Sequence, residues 1–90
     1  MSGRRGTTAD PRTTWSARDR ARELGDRVRV RRKALRLSQE QLGEACGLHR
    51  TYVGQVERGE VNVTVRNLLL LADGLGVDVA ELVQGLREAS

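Results

Sequence analysis

The sequence predicts an all-α protein, a compact bundle of five helices preceded by a flexible basic arm, and three observations carry that expectation. Apolar residues recur three, four and seven positions apart, the spacing of a helical face. Ser38-Gln39-Glu40-Gln41 and Asp78-Val79-Ala80-Glu81 have the form in which a short polar residue and the residue three positions on cap each other's backbone N–H groups. Gly47, Gly59 and Gly76 fall where the apolar periodicity stops, and glycine enters the left-handed conformation that ends helices without a steric penalty.

Residues 1–15 are the expected arm. After Met1 and up to Thr14 they hold Gly, Thr, the only proline (Pro11) and no large apolar side chain, so burial cannot offset the entropy of ordering them. The folded domain is expected over 16–88. Its first helix starts at Ser16 or Arg20 and runs to Leu35, with Leu24, Val28 and Leu35 on one face and Trp15 anchoring its start. The second runs from the Ser38 cap to Cys46, with Leu42 and Ala45 inward. The third spans His49 to Arg58. Only Gly47–His49 joins them, a turn short enough to force the crossing of a helix-turn-helix unit over 38–58. Thr64 caps a fourth helix whose Val65, Leu68, Leu71, Ala72 and Leu75 share a face; the fifth carries Leu82, Val83 and Leu86.

Size and composition exclude several function classes. At 90 residues the chain has room for one small core, which excludes a large enclosed active site and argues against an enzyme. One cysteine (Cys46) and one histidine (His49) cannot supply a zinc site or an internal disulfide. They also straddle a turn with no orienting acid, so a buried cysteine and a helix-capping histidine are expected, with no cofactor. No apolar run nears the ~18 residues of a membrane span and the N-terminus lacks a secretion signal, so a cytoplasmic protein is expected.

Charge is unevenly divided. Residues 1–36 carry twelve Lys/Arg against four Asp/Glu, whereas residues 37–90 carry four against eight. A positive field of that kind suits a polyanion such as nucleic acid, or an anionic membrane surface. On a wheel with Arg50 at zero, Val53 and Val56 mark the buried side of the third helix, and Thr51, Gln55 and Arg58 lie opposite at about 100°, 140° and 80°. Arg50 and Tyr52 flank them. Arg bonds guanine bidentately, Gln bonds adenine and a threonine methyl meets thymine, so this face suits a major-groove reader. Composition leaves an ordinary solvated face equally open.

The stretch LGDRVRVRRKALRLSQEQLGEACGLHRTYVGQVERGEVNVTVRNLLLLADGLGVDVAEL, about two thirds of the chain, resembles the lambda-repressor-like, XRE-type helix-turn-helix family. Its most specific parts are LSQEQL, GLHRTYV, QVERGE and the NVT-to-ADGLGV segment. HRTYVGQVERGEVNVT is also similar to the controller proteins of restriction-modification systems, small dimeric members of that family. The resemblance implies a transcriptional regulator that binds double-stranded operator DNA as a homodimer. It assigns base contacts to Arg50, Thr51, Tyr52 and Gln55, and phosphate contacts to Ser38, Gln39, Arg58 and Asn62. It also implies a structural ion pair between Arg32 and Glu57.

Three residues depart from the family pattern. Arg36 stands where the family has Gly, which requires a different turn or a costly positive φ. Gly43 replaces a common Ala and is expected to weaken its helix by roughly 0.8 to 1 kcal/mol. Gly54 interrupts the third helix, either as a tolerated surface glycine or as a point of close approach. Apolar residues beyond the inner face of the fourth helix, Leu69 and Leu70, join Val79 and Val83 as the expected two-fold interface. The competing use of that surface is an antitoxin-like or other protein-interaction module with the same fold.

Overall fold

The computed structural model describes residues 17–86; the arm over 1–15, including Trp15, lies outside the described residues. Five helices follow one another with no strand among those residues: α1 (Ala17–Ala34), α2 (Gln39–Cys46), α3 (Arg50–Glu57), α4 (Val65–Leu75) and α5 (Val79–Val83). Both expected capping boxes are present. Ser38 Oγ accepts from the Gln41 N–H at 3.0 Å while Gln41 Oε1 accepts from the Ser38 N–H at 2.8 Å, and Asp78 and Glu81 do the same for α5. Thr64 Oγ1 caps α4 through the Asn67 N–H. His49 caps α3, its Nδ1 accepting the Thr51 N–H at 3.0 Å. That bond leaves the neutral imidazole's proton on Nε2.

The core is Leu24 and Val28 of α1, Leu42 and Cys46 of α2, Val53 and Val56 of α3, Leu71, Ala72 and Leu75 of α4, and Leu82 of α5. Three expected inward residues are exposed. Leu35 lies beyond the end of α1, where the chain has already turned away from the Leu24–Val28 face. Ala45 sits about 100° past the centre of the arc that Leu42, Gly43 and Cys46 bury. Val65 opens α4, and because helical side chains tilt toward the N-terminus it projects past the last layer of the core. Burial raises the Cys46 thiol above its ordinary range, so it packs as a protonated apolar group.

Helices α1 to α4 end alike. A backbone N–H reaches back five residues, Leu37 to Arg32 O, Leu48 to Gly43 O, Glu60 to Gln55 O and Val77 to Ala72 O, each within 3.1 Å. The closure places one residue per helix at positive φ: Gly47, Gly59 and Gly76, but Arg36 at +61° in the first. Of the two turns open to Arg36, the chain adopts the strained one. Gly43 corrects its expectation. A Cβ there would collide with the Leu48 carbonyl as the chain folds back over α2, so glycine is a packing requirement at that position. At Gly25 a Cβ would meet the backbone oxygens of Val56 and Glu57, which sets how closely α1 crosses α3. Arg27 of α1 donates to the carbonyls of Leu82 (3.2 Å) and Gln84 (2.6 Å), satisfying the end of the short α5.

These two departures give opposite expectations to helix propensity. Arg36→Gly relieves a left-handed arginine and should stabilise the fold by about 1 kcal/mol. Gly43→Ala, favourable by propensity, should cost about 1 to 3 kcal/mol through overpacking. Urea midpoints of both variants against wild type check the pair; a stabilised Gly43→Ala would contradict the close approach.

Candidate nucleic-acid interface

The turn Gly47–His49 sets α3 across α2 and, with Val53 and Val56 buried, turns the opposite face of α3 outward. Arg50 and Thr51 are exposed in its first turn, and Tyr52 and Gln55 are half-buried beside them. The side chains of Arg50, Thr51 and Gln55 have no hydrogen-bond partner among the described residues. Tyr52 is different. Its Oη accepts from Asn67 Nδ2 of α4 at 3.1 Å, a partner that sequence reasoning missed because fifteen positions separate the two residues.

Behind that face lies a buried polar cluster. Arg32 Nε donates to Glu57 Oε2 at 2.6 Å and its second terminal nitrogen to Oε1 at 3.0 Å, while the first donates to the Leu37 carbonyl at 2.8 Å. Arg32 is 9% exposed and Glu57 6%. The hydrogen bond to Glu57 raises the already high pKa of Arg32. Gln39 joins the cluster, donating Nε2 to Glu57 Oε1 at 3.1 Å across the buried backbone of Gly54. Gly54 is buried and so is not a surface glycine, and a Cβ there would meet only the flexible ends of Arg58 and Gln39, so no close backbone approach requires it either.

The structure brings Gln39, Arg32 and Glu57 together and leaves Ser38 and Asn62 apart from them, both exposed. Ser38 spends its hydroxyl as acceptor on the α2 cap. Arg58 is exposed but engaged with Glu60 through two bonds of 2.8 and 3.1 Å. Those hydrogen bonds hold the Glu60 carboxyl below the usual carboxylate range. The pair therefore persists at neutral pH and is lost as pH falls through that lowered value. No adjacent motif announces Glu60 as a competitor for Arg58; only the turn after α3 brings it round.

The expected apolar surface is divided. Leu69 is exposed, whereas Leu70, Val79 and Val83 are partly buried against the core. Leu69 and Leu70 lie about 100° apart on α4, so they project to different flanks. Val65, one turn before Leu69, is the exposed neighbour that the sequence reading had placed inward.

A helix-turn-helix family profile matches residues 28–82, which takes in every element from the middle of α1 to α5. The chain belongs to the helix-turn-helix family. This helix-turn-helix chain is 52% identical over 66 residues to the control protein C.SmaI of Serratia marcescens, covering 71% of this chain and 79% of that one. Among solved structures it is similar to the restriction-modification controller protein C.AhdI from Aeromonas hydrophila, at 47% identity and a TM-score of 0.68 over 69% of this chain and 94% of that one. It also resembles the c2 repressor of Salmonella phage P22, solved in complex with a synthetic operator, at 35% identity and a TM-score of 0.64 over the same 69% of this chain and 94% of that one. The all-helical, five-helix architecture expected from the sequence agrees with these neighbours.

Because Glu57 is buried and bonded to both Arg32 and Gln39, removing one charge strands the other. Arg32→Ala should cost about 3 to 5 kcal/mol, and replacing both partners by apolar residues (Arg32→Met with Glu57→Leu) should cost clearly less. Chemical denaturation of the two variants measures this. Equal losses would mean that the apolar pair fails to fill the space, and a small loss for Arg32→Ala would mean that the cluster is solvated.

Proposed function

We propose that this chain is a dimeric transcriptional regulator that reads operator DNA through α3. The observation that carries the reading is the contrast within its polar groups. Arg32, Gln39, Glu57 and Arg58 are spent on one another or on Glu60, while Arg50, Thr51 and Gln55 keep their hydrogen-bonding capacity facing outward. Arg50 and Gln55 supply the donor and acceptor patterns that major-groove edges require, and Thr51 adds a methyl group. Tyr52 contacts a flanking base or phosphate. Ser38, Gln39, Arg58 and Asn62 are assigned the phosphate contacts in this reading; Gln39 would use the amide hydrogen that Glu57 does not take, and Arg58 would exchange Glu60 for a phosphate. Likeness to a repressor solved on an operator supports the assignment. Binding is the whole activity in this reading, with no catalytic step or cofactor, and the setting is the cytoplasm. No helix among the described residues is long and apolar enough to cross a membrane.

Two recognition helices read successive major grooves only when held about 34 Å apart, which requires a second copy. We place the two-fold contact on the Leu69 edge of α4, where Val65 adds exposed apolar surface, with Val79 and Val83 of the adjoining α5.

Arg50→Ala should lose about 1 to 3 kcal/mol of specific binding and relax preference at one base position while the fold is unchanged. Gel-shift titration of the DNA immediately upstream of the gene, against a scrambled duplex of equal length, measures it. Unaltered affinity and preference would remove α3 from the base-reading role. Leu69→Glu should yield a helical monomer, because a symmetric contact would desolvate two carboxylates together. Light scattering at tens of micromolar decides this, and a variant that stays dimeric would move the interface elsewhere.

A further inference from the structure

We propose that Asn67 is a positioning residue for DNA recognition, which orients the Tyr52 hydroxyl so that it meets DNA as a hydrogen-bond donor. The inference rests on the operator-binding reading of α3 and goes beyond it in assigning a role to α4. Asn67 lies in the first turn of α4, its backbone N–H held by the Thr64 cap at 3.1 Å. Its side chain faces two partners, Arg66 through Oδ1 at 3.3 Å and the Tyr52 hydroxyl through Nδ2 at 3.1 Å. In the structure the exposed Arg66, whose guanidinium has donors and no acceptor, takes the amide oxygen, and the NH2 group faces Tyr52.

Tyr52 Oη therefore accepts from Asn67, and its own O–H proton is left for an acceptor outside the protein. The bonds run in one direction, from Arg66 to Asn67 to Tyr52 and outward. Tyr52 is half-buried, its ring packed against the core, so the hydroxyl is held at the margin of the α3 face beside Thr51 and Gln55. DNA presents only acceptors at its phosphates and both donors and acceptors at its base edges. A hydroxyl fixed as donor selects a phosphate oxygen or a base acceptor such as purine N7, guanine O6 or thymine O4, and disfavours the amino groups of adenine and cytosine.

The test uses the full chain and four proteins: wild type, Tyr52→Phe, Asn67→Ala and the double variant. Asn67→Ala keeps the backbone N–H that Thr64 caps and introduces a better helix former, so the fold is retained. In the free protein, the side-chain amide resonance of Asn67 should shift in Tyr52→Phe; an unmoved resonance overturns the contact without any reference to DNA. Affinities are then measured for the upstream duplex and the scrambled duplex. Tyr52→Phe and Asn67→Ala should each weaken binding about tenfold, and the double variant no more than Tyr52→Phe alone, since without the hydroxyl Asn67 has nothing to orient. Loss confined to the upstream duplex identifies a base-edge acceptor, and equal loss on both duplexes a phosphate oxygen. Losses that multiply in the double variant, or an Asn67→Ala protein that binds as wild type, overturn the positioning role. A wild-type chain with no preference for the upstream duplex instead defeats the operator reading itself, and with it this use of the hydroxyl.

Discussion

The carboxylate of Glu57, at the end of α3, is bonded at once by Arg32 of α1 and Gln39 of α2, and Arg32 also holds the Leu37 carbonyl in the turn between those two helices. Three helices and one turn thus meet on a single buried ion pair. Apolar packing alone tolerates sliding and rotation of one helix on another, whereas a bidentate guanidinium–carboxylate pair permits a narrow range of distances and angles. The net stabilisation from such a pair is small, since two desolvated ions cost nearly what their attraction returns. Its consequence here is orientation. The outer face of α3 points where it does because the inner end of α3 is fixed to α1 and α2.

That anchoring works only if the backbones can approach. Gly25 lets α1 reach the last carbonyls of α3, where a Cβ would collide with the Val56 and Glu57 oxygens. The same backbone economy governs the helix ends, where four similar turns place Gly47, Gly59, Gly76 and Arg36 in the left-handed region. Arg36 is the position at which side-chain chemistry and backbone geometry disagree, and the turn geometry prevails as Leu37 folds back to donate its N–H to the Arg32 carbonyl.

Charge in this protein is sorted by burial. One pair is enclosed, Arg32 with Glu57; one lies part-buried along α1, Arg27 with Glu23; and one is closed into a short exposed turn, Arg58 with Glu60. Exposed pairs of the last kind are weak and readily exchanged. An arginine held by Glu60 is therefore available to a competing phosphate, while the enclosed pair is not. The positive first 36 residues and the acidic remainder add a long-range field that precedes any of these contacts.

The sequence by itself determined where the helices begin and end, because caps and terminal glycines act within three or four residues: Ser38 with Gln41, Asp78 with Glu81, Thr64, and the glycines at 47, 59 and 76. It also determined which face of α3 is buried, since Val53 and Val56 sit one turn apart. The tertiary structure alone decided what depends on contacts between distant positions. Val65, Ala45 and Leu35 have the periodicity of core residues, yet they are exposed because burial requires a neighbouring element at that height and none of the described residues supplies one. Gly43 reads as a helix defect until the Leu48 carbonyl is seen above it, and nothing local marks Asn67 as the partner of Tyr52, fifteen positions away. Local rules see one helix at a time, whereas these assignments are set by what packs on it.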